Sequence, residues 1–114
     1  MSAGLTGHER IDQRSIALHR AIGEELRAHP ERLEIAREYM SRWAKTAGRS
    51  MHYVKKWREI LEMPLEEMVA LIGQDTEEMR AMRQATPFAG VLSPAARWAI
   101  YRQFPIERHE SDEA

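Results

Sequence analysis

The chain has 114 residues, 43% of them hydrophobic and 31% charged, with a formal net charge of -1 and no cysteine. That length suits one domain, the missing cysteine excludes disulfides and thiolate chemistry, and the near-neutral total disfavours a general nucleic-acid binder while leaving a local basic patch open. No run reaches the length of a membrane span, and Met1 to Arg10 lacks the apolar core of a signal peptide, so a cytoplasmic protein without membrane association is expected.

Taken in order, Met1 to Leu5 reads as a frayed arm. Thr6 and Glu9 have the spacing of a capping box, with Asp12 a rival cap. The stripe Ile11, Ser15, Leu18, Ile22 and Leu26, widened by Ala17 and Ala21, predicts a first helix ending near His29. Pro30 suits the first turn of a second helix, whose inner face is Leu33, Ala36, Met40, Trp43, Ala44 and Ala47. Gly48 fits the left-handed position after its end. These two helices are expected to form an antiparallel hairpin with a short joint.

Ser50 is the candidate cap of a third helix carrying Val54, Trp57 and Leu61 on one side. Pro64 breaks that run and restarts it, giving Leu65, Met68, Val69 and Ile72 before Gly73. Asp75 and Glu78 form a second candidate capping box, opening a helix with Met79, Met82 and Arg83. Pro87 forces Thr86 out of helical geometry, and Phe88, Val91 and Leu92 follow around Gly90. Ser93-Pro94 reads as an N-cap with proline at the first helical position, opening a last helix with Trp98, Ile100, Tyr101 and Phe104. The expected fold is all-α: a compact bundle of five to six helices over residues 6–104. Its centre is a buried Pro87-Phe88-Ala89-Gly90 crossover, and 105–114 is an acid-rich, disordered tail.

Charge is segregated along the chain. Six basic residues and no acid fall between Arg42 and Arg58, whereas seven acids and no base fall between Glu59 and Glu78. Arg42, Lys45, Arg49, Lys55 and Arg58 form a candidate nucleic-acid patch, since phosphate contact needs such donors. Two short helices around Gly48 are compatible with a helix-turn-helix. Against this, the second would present Met51, Tyr53, Val54 and Trp57 where base-reading amides are wanted.

Catalytic constellations are poorly represented. Ser15 and His19 lie one helical turn apart, with Asp12 a turn earlier, but a polar pair at the edge of a helix face explains them without a triad. His8-Glu9 lacks the second histidine of a zincin helix, and His29 and His52 fall at element ends. No catalytic residue, metal or cofactor is assigned. Three Trp, three Tyr and seven Met favour protein-protein interaction instead. Trp43 and Trp98 are expected in the core, Trp57 beside Tyr53 is ambiguous, and Met79 and Met82 beside Arg80 and Arg83 are read as an exposed ridge.

The segment from Leu71 to Phe104 resembles a family of small bacterial helical proteins. Their hallmark reads LRQ-S/T-PFAGVL-S/T-P-x-x-RW-x-I-Y/F-R. Here it stands as Met82-Arg83-Gln84-Ala85-Thr86-Pro87-Phe88-Ala89-Gly90-Val91-Leu92-Ser93-Pro94, then Arg97-Trp98 and Ile100-Tyr101-Arg102. Met82 and Ala85 stand where the family has Leu and Ser. Ile16-Ala17-Leu18-His19, Arg42-Trp43 and Trp57-Arg58-Glu59-Ile60-Leu61 extend the likeness to most of Ile11–Phe104. Such proteins are encoded beside nucleotidyltransferase-like toxins of the AbiEii kind, as their antitoxins. The resemblance implies stoichiometric neutralisation of a cognate toxin, with operator DNA as a second partner in autoregulation. It places toxin contact on Tyr53, Lys56, Trp57, Met79, Arg80 and Arg83, then Arg97 and Arg102. Arg83 and Arg97 are alternatively expected to brace the Pro87–Gly90 turn through its carbonyls. A DNA-binding regulator and a structural homo-oligomer, for example a homodimer, are the competing readings.

Overall fold

A computed structural model describes residues 7–105, and side-chain environments from residue 9. Six α-helices form an all-α bundle: α1 (Gly7–Ala28), α2 (Leu33–Ala44), α3 (Met51–Leu61), α4 (Leu65–Ile72), α5 (Glu77–Arg83) and α6 (Pro94–Gln103). Short 3-10 turns cover Pro30–Arg32, Gly48–Ser50 and Ala89–Val91. The expected arm, the Thr6 cap and the acidic tail beyond Pro105 lie outside the described residues.

Local chemistry sets most boundaries. Pro30 begins the turn leading into α2. Gly48 has φ +52°, where an L side chain is disfavoured. Pro64, with φ -54° and ψ 145°, separates α3 from α4 because its ring cannot continue the helical ladder. Ser93 caps α6 by accepting the Ala96 N–H at 3.1 Å, with Pro94 next. At α5 the cap is Thr76 rather than Asp75: the Thr76 hydroxyl accepts the Met79 N–H at 3.1 Å. Asp75 instead meets Arg80 at 3.2 Å. Ser50 makes no side-chain cap.

The expected α1–α2 hairpin does not form. α1 packs chiefly on α4 and also touches α5 and α6, whereas α2 packs on α3. Between these two groups runs the segment from Thr86 to Leu92. Its 3-10 turn at Ala89–Val91 touches both α1 and α2, occupying the position where those helices would otherwise meet. Pro87, Phe88, Val91 and Leu92 are buried, Ala89 is half-buried and Gly90 is exposed. A Cβ on Gly90 would stand 3.3 Å from Ile35 Cγ2, a tight approach to α2. Arg32 donates to the Val91 carbonyl from Nε at 3.0 Å and Nη2 at 2.7 Å, fixing the far side of the crossing.

The core joins the two groups around Phe88. Its ring lies edge-on to Trp57 of α3, with centroids 5.5 Å apart, and to His19 of α1 at 6.4 Å. Ile22, Leu26, Val54, Met68 and Ile72 fill the surrounding space and are fully buried. Such aromatic pairs contribute about 0.5–1.5 kcal/mol beyond the area they bury.

The α1–α4 seam depends on a glycine. A Cβ on Gly23 would lie 2.6 Å from Val69 Cγ1, closer than such atoms approach. Arg20 also donates to the Gly73 carbonyl at 3.3 Å, and Arg27 bonds Glu66 at 3.0 Å. Alanine ordinarily favours a helix over glycine by about 1 kcal/mol, but here the branched valine cannot swing away and the helices must separate. Gly23→Ala is therefore expected to destabilise the protein by about 1–3 kcal/mol in urea denaturation. Adding Val69→Ala should recover part of that loss, giving a coupled double-mutant cycle.

Candidate functional site

α6 lies on α1 by one side only. Ile100, Tyr101 and Ala96 pack against the core, while Trp98 and Arg102, one turn apart, fall on the opposite side. Trp98 is consequently 61% exposed, the reverse of its expected core position. Its ring meets Tyr101 edge-on at 6.2 Å, and the Arg14 guanidinium stands 4.7 Å above the Tyr101 ring. Ile11, on the same helix as Arg14, is 41% exposed despite belonging to the apolar stripe. Ile11, Arg14 and Tyr101 come together where α1 meets α6, and Trp98 continues this α1–α6 face through its contact with Tyr101, with Arg102 one turn along on the outer side of α6. Residues of this composition anchor protein interfaces.

The eight residues expected to contact a toxin do not share one surface. Trp57 is fully buried against Phe88, Met79 is 3% exposed, and Arg83 is 3% exposed. The expected ridge of Met79 and Met82 is core, because α5 turns both sulfur side chains inward. Tyr53 is half-buried, with its ring tilted 38° to that of His52 and the centroids 4.1 Å apart. Lys56 is exposed and bonded to Glu78 at 2.8 Å; this contact raises the Lys56 pKa and lowers that of Glu78. Beneath that pair, Ile60, Met63, Leu71, Met79 and Met82 line a groove of about 510 Å³. Arg80 is exposed and bound by Asp75 and, at 3.8 Å, by Asp12. Arg102 is exposed and has no ion pair among the described residues.

The bracing role divides the two arginines. Arg97 Nη1 donates to the Ala89 carbonyl at 2.8 Å and the Leu92 carbonyl at 3.2 Å, tying α6 to the segment that precedes it. Arg83 does not reach that turn. Its Nη1 donates to Ile72 at 3.1 Å and Gln74 at 2.7 Å, closing the α4–α5 connection. Burial pulls the Arg83 pKa below its ordinary value, opposed by Asp75 and Asp12.

The candidate basic patch is differently placed. Arg42 on α2, Lys45 just after it, Arg49 in the following turn, and Lys55 and Arg58 on α3 are all exposed. None has an ion pair among the described residues, in contrast to Lys56. These five cations lie on α2, α3 and the connection between them.

Beside the α1–α6 face, Ile11, Asp12, Arg14, Ser15, Leu18, His19, Arg80, Arg83, Gln84, Thr86 and Tyr101 line a cleft of about 310 Å³. His19 is fully buried in its wall. Its Nδ1 lies 2.8 Å from the Ser15 carbonyl, which can only accept, so Nδ1 carries the proton. Nε2 of the neutral ring then accepts from the Thr86 hydroxyl at 2.8 Å. That hydroxyl in turn accepts the Phe88 N–H at 3.1 Å. The Ser15–His19–Asp12 arrangement of a triad is not assembled: the histidine meets the serine's backbone oxygen and the carboxylate meets Arg80. Among the described residues, no group of His, Asp and Glu could hold a metal ion, and no helix is long and apolar enough to cross a membrane.

Comparisons with protein-family models, curated proteins and solved structures return no match.

Burial pushes the His19 pKa down from 6.5 to about 4, opposed by its bond to Ser15 and reinforced by the Arg83 charge. The unfolded chain therefore binds the proton more readily than the folded one. This contribution to stability is complete above about pH 6.5 and falls as the pH drops towards 4, by about 3 kcal/mol over the window. Denaturation at pH 7, 6, 5 and 4 should show this decline. His19→Gln should be less stable at pH 7 and decline less steeply between pH 6.5 and 4.

Proposed function

We propose that this chain is a protein-binding antitoxin that neutralises a nucleotidyltransferase-like toxin by forming a stoichiometric complex. The observation carrying this reading is the exposure of Trp98 within the segment that bears the family resemblance. An indole left 61% exposed and flanked by Tyr101 and Arg102 has the composition of an interface anchor. The Pro87-Phe88-Ala89-Gly90 crossover supplies the rigid half of the reading. Pro87 and Phe88 are fixed in the core, and Arg97 ties α6 to the Ala89 carbonyl, so Trp98 is presented from a backbone held in place. Pre-organisation of this kind lowers the ordering cost of association. Inhibition follows from coverage: the α1–α6 face seals the toxin's substrate entrance and no bond in either protein is made or broken.

Co-expression with an AbiEii-like nucleotidyltransferase tests this. Growth should be restored and a complex of fixed stoichiometry should co-purify. Trp98→Ala should weaken the complex at least tenfold while leaving the urea midpoint nearly unchanged, because an exposed side chain contributes little to folding. Failure to recover a complex, or a complex indifferent to Trp98 and Arg102, would overturn the reading. Concentration-dependent sedimentation of the isolated chain, abolished by Trp98→Ala, would identify self-association as the use of this face.

A second reading, operator DNA binding, is favoured by the five uncompensated cations on α2 and the α3 region. It predicts retention of duplex DNA that falls with rising salt. A Lys55→Gln, Arg58→Gln double variant should flatten the salt dependence by about two charges. Equal retention by the double variant would remove this reading without touching the first.

A further inference from the structure

The first turns of α1 divide their charge between two neighbours. Glu9, Asp12 and Gln13 line a hollow of about 260 Å³ with Asp75 and Arg80, on the α5 side, and Asp12 meets Arg80 there at 3.8 Å. Arg10 and Arg14 turn to α6 instead. Arg10 Nη1 donates to the Pro105 carbonyl at 3.1 Å, just past the end of α6, and the Arg14 guanidinium lies over the Tyr101 ring. α6 adds Arg97 and Arg102 and contains no acid. Arg97 is committed to the Ala89 and Leu92 carbonyls, which leaves Arg10, Arg14 and Arg102. None of these three has an ion pair among the described residues. Further along α1, by contrast, Arg27 is held by Glu24 and by Glu66 of α4.

The two helices run antiparallel here, since Arg10 meets Pro105 and Arg14 meets Tyr101. Arg10, Arg14 and Arg102 therefore fall within about 10 Å of Trp98 along the helix axis. That is about one screening length in 0.1 M salt, so the three charges act together on whatever approaches the indole.

A nucleic-acid strand and an acidic protein surface both suit cations beside an aromatic ring. The rings decide between them. A strand is held by several rings on which successive bases stack. Here Arg14 already lies over the Tyr101 ring, and the large apolar side chains exposed on the described part of α1 and α6 are Trp98 and Ile11. One indole and one aliphatic group within a charged margin match the apolar centre and polar rim of a protein interface.

We infer that the α1–α6 face is matched by an acidic protein surface, with Trp98 in an apolar recess and the surrounding carboxylates paired with Arg10, Arg14 and Arg102. Which protein supplies that surface rests on the antitoxin reading, and the arginines deepen it: they steer the encounter, and the indole holds the complex once formed.

The full chain, labelled with nitrogen-15, is titrated with a short peptide of alternating Glu and Leu and with its Gln counterpart, following the Trp98 indole and arginine Nε–H signals. The acidic peptide should shift the Trp98 and Arg102 signals saturably, and the Gln counterpart should bind at least about tenfold more weakly. Raising the salt from about 0.1 to about 1 M shortens the screening length from about 10 to about 3 Å and should remove most of that difference. Arg102→Gln should weaken the acidic peptide severalfold. Equal affinity for the two peptides, or tighter binding of single-stranded DNA at Trp98, would overturn the inference. So would a dimer of the isolated chain that Trp98→Ala dissolves, since a second copy would then occupy the face. In the complex with the nucleotidyltransferase, Arg14→Gln and Arg102→Gln together should lower kon about tenfold in low salt and leave it unchanged in about 1 M salt. A Trp98-dependent complex whose on-rate ignores salt and both arginines would remove the acidic match and leave the antitoxin reading standing. Peptide binding as expected, with no toxin complex, would do the reverse.

Discussion

Everything in this bundle depends on the placement of one phenyl ring. Phe88 sits between His19 on α1 and Trp57 on α3, joining two groups of helices that otherwise meet little. A residue in an irregular segment usually contributes less to stability than one in a helix face, because loops run over the surface. Here the relation is inverted. The backbone of the crossing is satisfied by side chains instead of by a regular ladder: Thr86 accepts the Phe88 N–H, Arg97 takes the Ala89 and Leu92 carbonyls, and Arg32 takes Val91. Arginine is well suited to this, since one planar group donates in several directions. Removing the Phe88 ring would cost about 3–5 kcal/mol, the range for large core truncations.

The polar interior is built on the same segment. Thr86 joins the crossing to His19, and His19 joins it to the α1 backbone at Ser15. A histidine in this position serves as a neutral donor and acceptor at once, which neither an apolar residue nor a lysine could do. Arg83 carries a charge a short distance away, and its presence further disfavours protonation of the ring. One buried cation thus helps to keep its neighbour neutral. Trp57 is less well served, because its Nε1 is buried without an acceptor; its retention rests on the volume and edge-on contact of the indole.

The elements whose chemistry is local were legible in the sequence. Ser93-Pro94, Pro64 and Pro30 each restrict their own backbone and mark a boundary where expected, whereas Gly48 takes the expected left-handed φ but α2 already ends at Ala44. Five to six helices could be drawn from these marks and the apolar period. Burial was less legible because it depends on what lies opposite. Trp57 and Trp98 both sit among apolar neighbours, yet α3 is enclosed on that side and α6 is not. Ile11 continues a stripe beyond the point where the bundle covers it. Met79 and Met82 beside Arg80 and Arg83 suggested an exposed ridge, but both methionines are buried and the Ile72 and Gln74 carbonyls draw Arg83 inward. The hairpin expectation failed for a related reason: a short joint at Pro30 says that two helices are consecutive and leaves open what wedges between them. Of the expected contact residues, Lys56, Arg80 and Arg102 are exposed and Tyr53 and Arg97 are half-buried, whereas Trp57, Met79 and Arg83 serve the interior.

The position of Phe88 late in the chain has a consequence for biosynthesis. As the polypeptide leaves the ribosome, α1, α2 and α3 emerge long before the ring that unites them, with their apolar faces lacking their common neighbour. Local helical turns can form early, but the tertiary structure must wait for a contact spanning 69 residues from His19. The nascent chain therefore passes through an interval in which Trp57 and the methionines of α4 and α5 are open to solvent.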